Sequence, residues 1–218
     1  MSDLFSLETS GLDLIIPMPT IAFKQLGIIV LDGSSSMDKL NRDGIPYRNA
    51  ISQTVKGLFD LFKRSRYAES TYFSVISYDD KAEVVMDITK VKDIDCEKDF
   101  NPTIGMGELP YMYCGLEKAE EIADVFFDMN NPFEISSRVV IIILSNGVDM
   151  DFEETKRALS HLKENRRIAV ACSFIDTFGA RKDYSIKKQS YLEQLASYPD
   201  LFQSVTTSQG LKQFFNRE

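Results

Sequence analysis

Two stretches of this chain, Gln25-Leu26-Gly27-Ile28-Ile29-Val30-Leu31 and Arg138-Val139-Val140-Ile141-Ile142-Ile143-Leu144, run apolar almost without interruption. A strand with one wetted face alternates apolar and polar residues, whereas a continuous apolar run belongs to a strand buried on both faces. Both runs stop abruptly, the first in Asp32-Gly33-Ser34-Ser35-Ser36-Met37 and the second in Ser145-Asn146-Gly147. Such strands require a sheet covered on two sides, and helices are the elements that cover it.

The rest of the chain supplies those helices. Pro46 suits a first helical position, and Ala50, Ile51, Val55, Leu58, Phe59 and Phe62 recur at spacings of three and four, predicting a helix to about Ser65. Residues 71–78 and 82–88 are β-rich and joined only by Tyr78-Asp79-Asp80-Lys81, a link too short for anything but an antiparallel pair. Residues 89–110 are irregular, with Asn101-Pro102 and Gly105-Met106-Gly107 breaking any periodicity. A helix is expected over about 111–129. Asp151 and Glu154 make a capping-box-like start for another, running to about Asn165. Residues 168–175 read as a third buried strand. A polar loop with Arg181-Lys182 and Lys187-Lys188 precedes a helix around 191–197, a short strand over 201–205 and a closing helix over 210–216. The order predicts an α/β fold: a doubly wound, mainly parallel sheet with one antiparallel edge strand and helices on both faces. Residues 1–24, where Pro17 and Pro19 forbid a central strand, read as an N-terminal arm, and 25–218 as a single α/β domain.

Charge narrows the function. The 218 residues hold 25 Lys+Arg against 33 Asp+Glu, a net charge of -8, and no Lys/Arg stripe interleaved with aromatics stands in the sequence. Such a surface repels phosphate backbones, so no nucleic-acid partner is expected. No apolar run approaches the ~20 residues needed to span a bilayer. Residues 1–10, with Asp3 and Glu8, lack the basic flank and apolar stretch of a secretion signal. Cys96, Cys114 and Cys172 form no C-x-x-C motif. No membrane association and a cytoplasmic location are therefore expected. The single histidine, His161, removes histidine-based metal cages and imidazole triads.

In doubly wound sheets ligands bind beyond the carboxyl ends of the strands, where strand order reverses. The loops at 32–37 and 145–151 are the candidates, with the 101–110 loop approaching the same end. Asp32, Ser34 and Ser36 alternate, so one carboxylate and two hydroxyls can aim at a common point. These are hard oxygen donors of the kind Mg²⁺ or Mn²⁺ favours. The same residues also suit a turn leading into a helix, because Ser and Asp satisfy free backbone donors there. Asp149 and Asp151 either cap the next helix or add carboxylates to the site. Met106, Tyr111, Met112 and Tyr113 supply an apolar rim or core. Gly105-x-Gly107 lacks the third glycine of a dinucleotide fingerprint, and no phosphate loop or G-x-S-x-G is present. A nucleophilic Asp32 of the phosphotransferase kind would need a second carboxylate two residues on, where Ser34 stands.

The strand ending in Asp32-Gly33-Ser34-Ser35-Ser36-Met37 resembles the D-x-S-x-S signature of von Willebrand factor A (VWA) domains, and the order of elements is similar over about residues 23–217. Ile142-Ile143-Leu144-Ser145-Asn146-Gly147 resembles the family's third metal-site loop, L-T-D-G. The segment Phe73-Ser74-Val75-Ile76-Ser77-Tyr78-Asp79 looks most like the stand-alone bacterial members of TerY, tellurium-resistance type. The resemblance implies a Rossmann-like six-stranded domain whose metal-ion-dependent adhesion site (MIDAS) holds Mg²⁺ or Mn²⁺. It implies protein binding without catalysis, through an acidic residue of the partner at the metal face, in a bacterial stress-response or defence assembly. This sequence departs from the pattern twice. Asn146 stands where the third loop carries Asp, which removes a negative charge. The second-loop Thr has no clean counterpart: Glu108 or Pro110 falls near its position, and Thr103 is several residues early. Glu108 would restore the lost charge. The expected metal set is thus Asp32, Ser34, Ser36, Glu108 and Asn146, a degenerate MIDAS with no catalytic residue. Two alternatives stay open: a metal-dependent phosphoryl-transfer or hydrolase enzyme at the same crevice, and a scaffold with a vestigial site that binds through the arm or the hairpin edge.

Overall fold

The first long apolar run becomes β1 (Ala22–Asp32), and it sits near the middle of a six-stranded sheet because both its edges are taken by other strands. The computed structural model describes residues 22–40, 44–100, 107, 109–130, 135–177 and 182–205. Along the chain these form β1, α1 (Tyr47–Lys63), β2 (Thr71–Tyr78), β3 (Ala82–Lys90), α2 (Met112–Asp128), β4 (Ile135–Ser145), α3 (Phe152–Glu164), β5 (Ile168–Ile175), α4 (Lys182–Leu195) and β6 (Phe202–Val205). The strand order is β3-β2-β1-β4-β5-β6. β1 pairs parallel with β2 and β4, β4 with β5, and β5 with β6, while β2 and β3 pair antiparallel. This is the predicted α/β architecture, with the hairpin strand β3 as the antiparallel edge.

Burial explains the missing alternation. Leu26, Ile28 and Val30 of β1, Val139, Ile141 and Ile143 of β4, and Val170, Cys172 and Phe174 of β5 face one core with α2, α3 and α4. Ile29, Leu31, Ile142, Leu144, Ala171 and Ile175 face the other, where Tyr47, Ile51, Val55, Leu58 and Phe59 of α1 pack. Each fully buried aliphatic or aromatic side chain is worth about 1.5–3 kcal/mol, so the two cores hold the strands in register and fix where the strand ends fall.

β3 runs on to Lys90, into the stretch expected to be irregular, and β4 starts at Ile135 rather than Arg138; three further boundaries differ from expectation. β1 begins at Ala22 rather than Gln25, because 22–24 pair with Ile135, Ser136 and Ser137 of β4 even though Phe23 is exposed. The arm therefore yields residues 22–24 to the sheet. The segment expected as a polar loop before residue 191 is the first half of α4, whose apolar stripe is too thin to read: within it Ser185, Leu192 and Leu195 are buried. Pro46 precedes α1 as its N-cap residue instead of opening it. The remainder of the arm and the closing helix over 210–216 lie outside the described residues.

Candidate metal centre

β1 and β4 are neighbours, so their carboxyl-end loops meet at the crest of the sheet, as the winding requires. Asp32, the last residue of β1, is buried. Its Oδ1 accepts from the Ser34 backbone N–H at 3.0 Å and from Ser34 Oγ at 2.6 Å, and its Oδ2 accepts from Ser145 Oγ at 3.0 Å. Ser34 Oγ lies 2.9 Å from Ser36 Oγ, at the start of the short 3₁₀ turn Ser35–Asp38. Burial pushes the Asp32 carboxyl above its ordinary range, against the pull of the bonds from Ser34, Ser145 and the Asn146 backbone. The same burial, with the nearby Asp32 charge, drives the Tyr78 phenol well up.

The second apolar strand places Ser145 and Asn146 against this loop. Ser145 Oγ donates to Asp32 and accepts from the Gly147 N–H at 3.0 Å. Asn146 Oδ1 accepts from the Val148 N–H at 3.0 Å. That bond sets the amide orientation, since the reversed amide would put two donors face to face. Nδ2 then donates to Ser36 Oγ at 2.7 Å and to Thr177 Oγ1 at 3.2 Å. Gly147 turns the chain at φ 74°, and a Cβ there would lie 2.7 Å from the Lys188 carbonyl oxygen.

The second loop reaches the crest through Gly107. Its carbonyl accepts from the Ser35 N–H at 3.2 Å, and its N–H donates to Asp79 Oδ2 at 2.9 Å. A Cβ on Gly107 would meet Asp79 at 2.5 Å, so glycine is required for this close approach. Glu108, Met106 and Thr103 lie outside the described residues. Met112 belongs to the core rather than a rim, and Tyr111 and Tyr113 are half-buried with ring centroids 5.8 Å apart. Exposed Leu109 and Met150 flank the crest instead, on segments joined by the Met150 N–H to Pro110 carbonyl bond. Asp151 caps α3, accepting from the Glu154 N–H at 3.1 Å. Asp149 accepts from the Met112 N–H, at the first turn of α2, and from the Tyr191 hydroxyl at 2.6 Å. Both carboxylates are thus engaged by helix starts.

The structure brings Asp32, Ser34, Ser36 and Asn146 together. Reading the sequence alone missed Asp79 and Thr177 as their supports. The one signal for Asp79 was its place just past the end of β2, the third strand end at the crest. Among the described residues no cluster of three or more His, Cys, Asp or Glu side chains converges, and the oxygens they bring together in the first loop are the Asp32 carboxylate and the Ser34 and Ser36 hydroxyls. The spacing suits that role: oxygens about 2.0–2.1 Å from Mg²⁺ at right angles stand about 2.9–3.0 Å apart, and Ser34 Oγ and Ser36 Oγ are 2.9 Å apart. Asp32, Ser34 and Ser36 fit a hard divalent cation. Asn146 is the misfit, presenting N–H to Ser36 where a carboxylate would present an acceptor.

The family model of the von Willebrand factor type A domain matches residues 28–217. No curated protein matches the chain by sequence. Among solved structures, the pilus adhesin SpaC from Lactobacillus rhamnosus GG in its open conformation superposes with a TM-score of 0.69 at 12% identity, over 88% of this chain and 29% of that one. Proximal thread matrix protein 1 from the mussel byssus, solved with a zinc-occupied MIDAS motif, gives 0.62 at 18% identity, over 91% of this chain and 45% of that one. The SpRpn10 VWA domain gives 0.63 at 15% identity, covering 88% and 94%. The chain spans less than a third of the adhesin and less than half of the byssus protein. At these identities the likenesses speak to the fold. Among the described residues no helix is long and apolar enough to cross a membrane.

Proposed function

The chain belongs to the von Willebrand factor type A family, often metal-dependent and engaged in protein–protein interaction, and from that premise we propose that it is a metal-dependent interaction module, without catalysis, that recognises an acidic residue of a partner protein at the crest. The observation that carries this reading is the convergence of Asp32 Oδ1, Ser34 Oγ and Ser36 Oγ, at successive separations of 2.6 and 2.9 Å, at the carboxyl end of β1. Bound there, Mg²⁺ or Mn²⁺ supplies an open coordination position for a partner carboxylate. The chain's own residues do the rest. Asp32 neutralises half the charge of a divalent ion, Ser34 and Ser36 orient their lone pairs, and Ser145 holds Asp32 in place. Leu109 and Met150 offer apolar contact beside the acidic side chain. In keeping with the resemblance to the TerY type, we place the module in a bacterial stress-response or defence assembly.

Calorimetry with Mn²⁺ on the full chain tests the reading. One ion per chain is expected in the wild type and none in Asp32→Ala; equal, undetectable heats in both would remove the metal from the mechanism. The enzyme alternative has its own test in a panel of phosphoesters with Mg²⁺, where turnover abolished by Asp32→Asn would overturn the non-catalytic assignment.

A further inference from the structure

The opposite end of the sheet carries the reverse chemistry. The start of β4, the last turn of α3, the α3–β5 turn and the segment after α4 enclose a cleft of about 530 Å³. Arg138, Lys163, Arg166 and Arg167 line it, together with Ser197 and Tyr198. Among the described residues no carboxylate stands within ion-pair distance of any of the four cations, although elsewhere the chain pairs its charges, as in Lys56–Glu97, Lys92–Glu69 and Arg157–Glu154. Four cations around one concavity, with no described carboxylate to pair them, repel one another, and in a chain of net charge -8 they form a local reversal of the surface field.

Two of the four are held in position. The Arg167 guanidinium stacks 3.8 Å over the Phe127 ring, and Lys163 Nζ donates to the Ala196 carbonyl at 3.2 Å. Side chains already ordered cost less to immobilise on a ligand. Lys163 answers a free carbonyl near a helix end, but Arg138 stands on a strand with no helix end to serve. Three backbone donors nearby are taken: the Val139 N–H bonds the Arg167 carbonyl, Ile168 bonds Asn165, and Val170 bonds Ser197 Oγ. Recognition here therefore falls to the guanidinium forks and the ammonium, which match phosphate oxygens in geometry and charge. Tyr198, 64% exposed, offers a flat ring at the rim. The cleft lies within the ~300–1,000 Å³ range of small-molecule sites.

We propose that this cleft binds a small phosphate-bearing anion of mononucleotide size, independently of the crest. Titration calorimetry of the full chain at low ionic strength with inorganic pyrophosphate and with ADP tests it. Each probe is expected to bind once per chain. Arg138→Gln combined with Arg166→Gln, both at exposed positions, should weaken binding at least about tenfold with an unchanged circular dichroism spectrum, while Asp32→Ala leaves both affinities intact. Tyr198→Ala separates the sources: a loss confined to ADP assigns a nucleotide, and equal retention assigns a phosphate compound without a base. No heat from either probe, undiminished affinity in the double variant, or a glutamate hexapeptide binding as tightly as pyrophosphate overturns the proposal.

Discussion

The two ends of this parallel sheet are built on opposite terms. At the crest, the buried Asp32 carboxylate and a set of hydroxyls are bonded to one another and to loop backbone. At the base, exposed cations surround an open cleft, and two of the four are fixed by a single contact each. The difference teaches where specificity is stored. The crest keeps a costly buried charge in place by loop geometry, so changes there alter both stability and binding. The base draws its field from exposed side chains, so changes at Arg138 and Arg166 are expected to alter binding alone.

That contrast can be broken most forcefully at Gly147. Its φ of 74° and the 2.7 Å approach of a built Cβ to the Lys188 carbonyl make Gly147→Ala cost about 1–3 kcal/mol, read as a lowered denaturant midpoint together with loss of Mn²⁺ binding. A next, smaller effect sharpens the crest itself. Asn146→Asp puts an acceptor where Nδ2 now faces Ser36, and calorimetry should show Mn²⁺ binding tightened by about tenfold, or about 1.4 kcal/mol.

The titration of buried groups comes third. Burial pushes the Cys172 thiol from 9.0 up to about 12 and raises the Tyr78 and Tyr191 phenols as well. Each holds its proton longer in the folded state than in the unfolded one. Stability is therefore flat with respect to these groups below pH 9 and falls as pH rises from 9 towards 12, with a slope of up to about 1.4 kcal/mol per pH unit from Cys172. Urea midpoints measured across that window should show the decline, shallower in Cys172→Ala. Asp32→Asn follows: without divalent ions it should raise stability by up to about 1 kcal/mol, because a buried carboxylate is replaced by a neutral isostere. Smallest of all, the Arg138→Gln, Arg166→Gln variant should shift the same midpoint by no more than about 0.5 kcal/mol. A drop there as large as that at Gly147 would erase the distinction between the two ends.

What could be read from the sequence tracks how local each signal is. β1, β4 and β5 announce themselves because their residues are buried on both faces. The hairpin is legible because a link as short as Asp79-Asp80-Lys81 permits no crossover. The first half of α4 was hidden because its one buried position is Ser185. Phe23 and Lys24 gave no strand signal, since their place in β1 comes from pairing with Ser136 and Ser137 rather than from burial. At the crest, Asp32, Ser34 and Ser36 were legible from their spacing at a strand end, and Asn146 from its place after β4. Asp79 and Thr177 were not, because they act through contacts with residues 28 and 31 positions away. The base escaped notice for a similar reason: Arg138 and the 163–167 cations meet only once β4 and β5 pair. A chain without a basic stripe in sequence still assembles a basic cleft in space.

The account rests above all on what the β1 loop holds. A crystal grown with Mn²⁺ and read by anomalous scattering tests this most directly. A peak within about 2.2 Å of oxygens from Asp32, Ser34 or Ser36 is the predicted result; an empty anomalous map at that loop under saturating Mn²⁺ would contradict it.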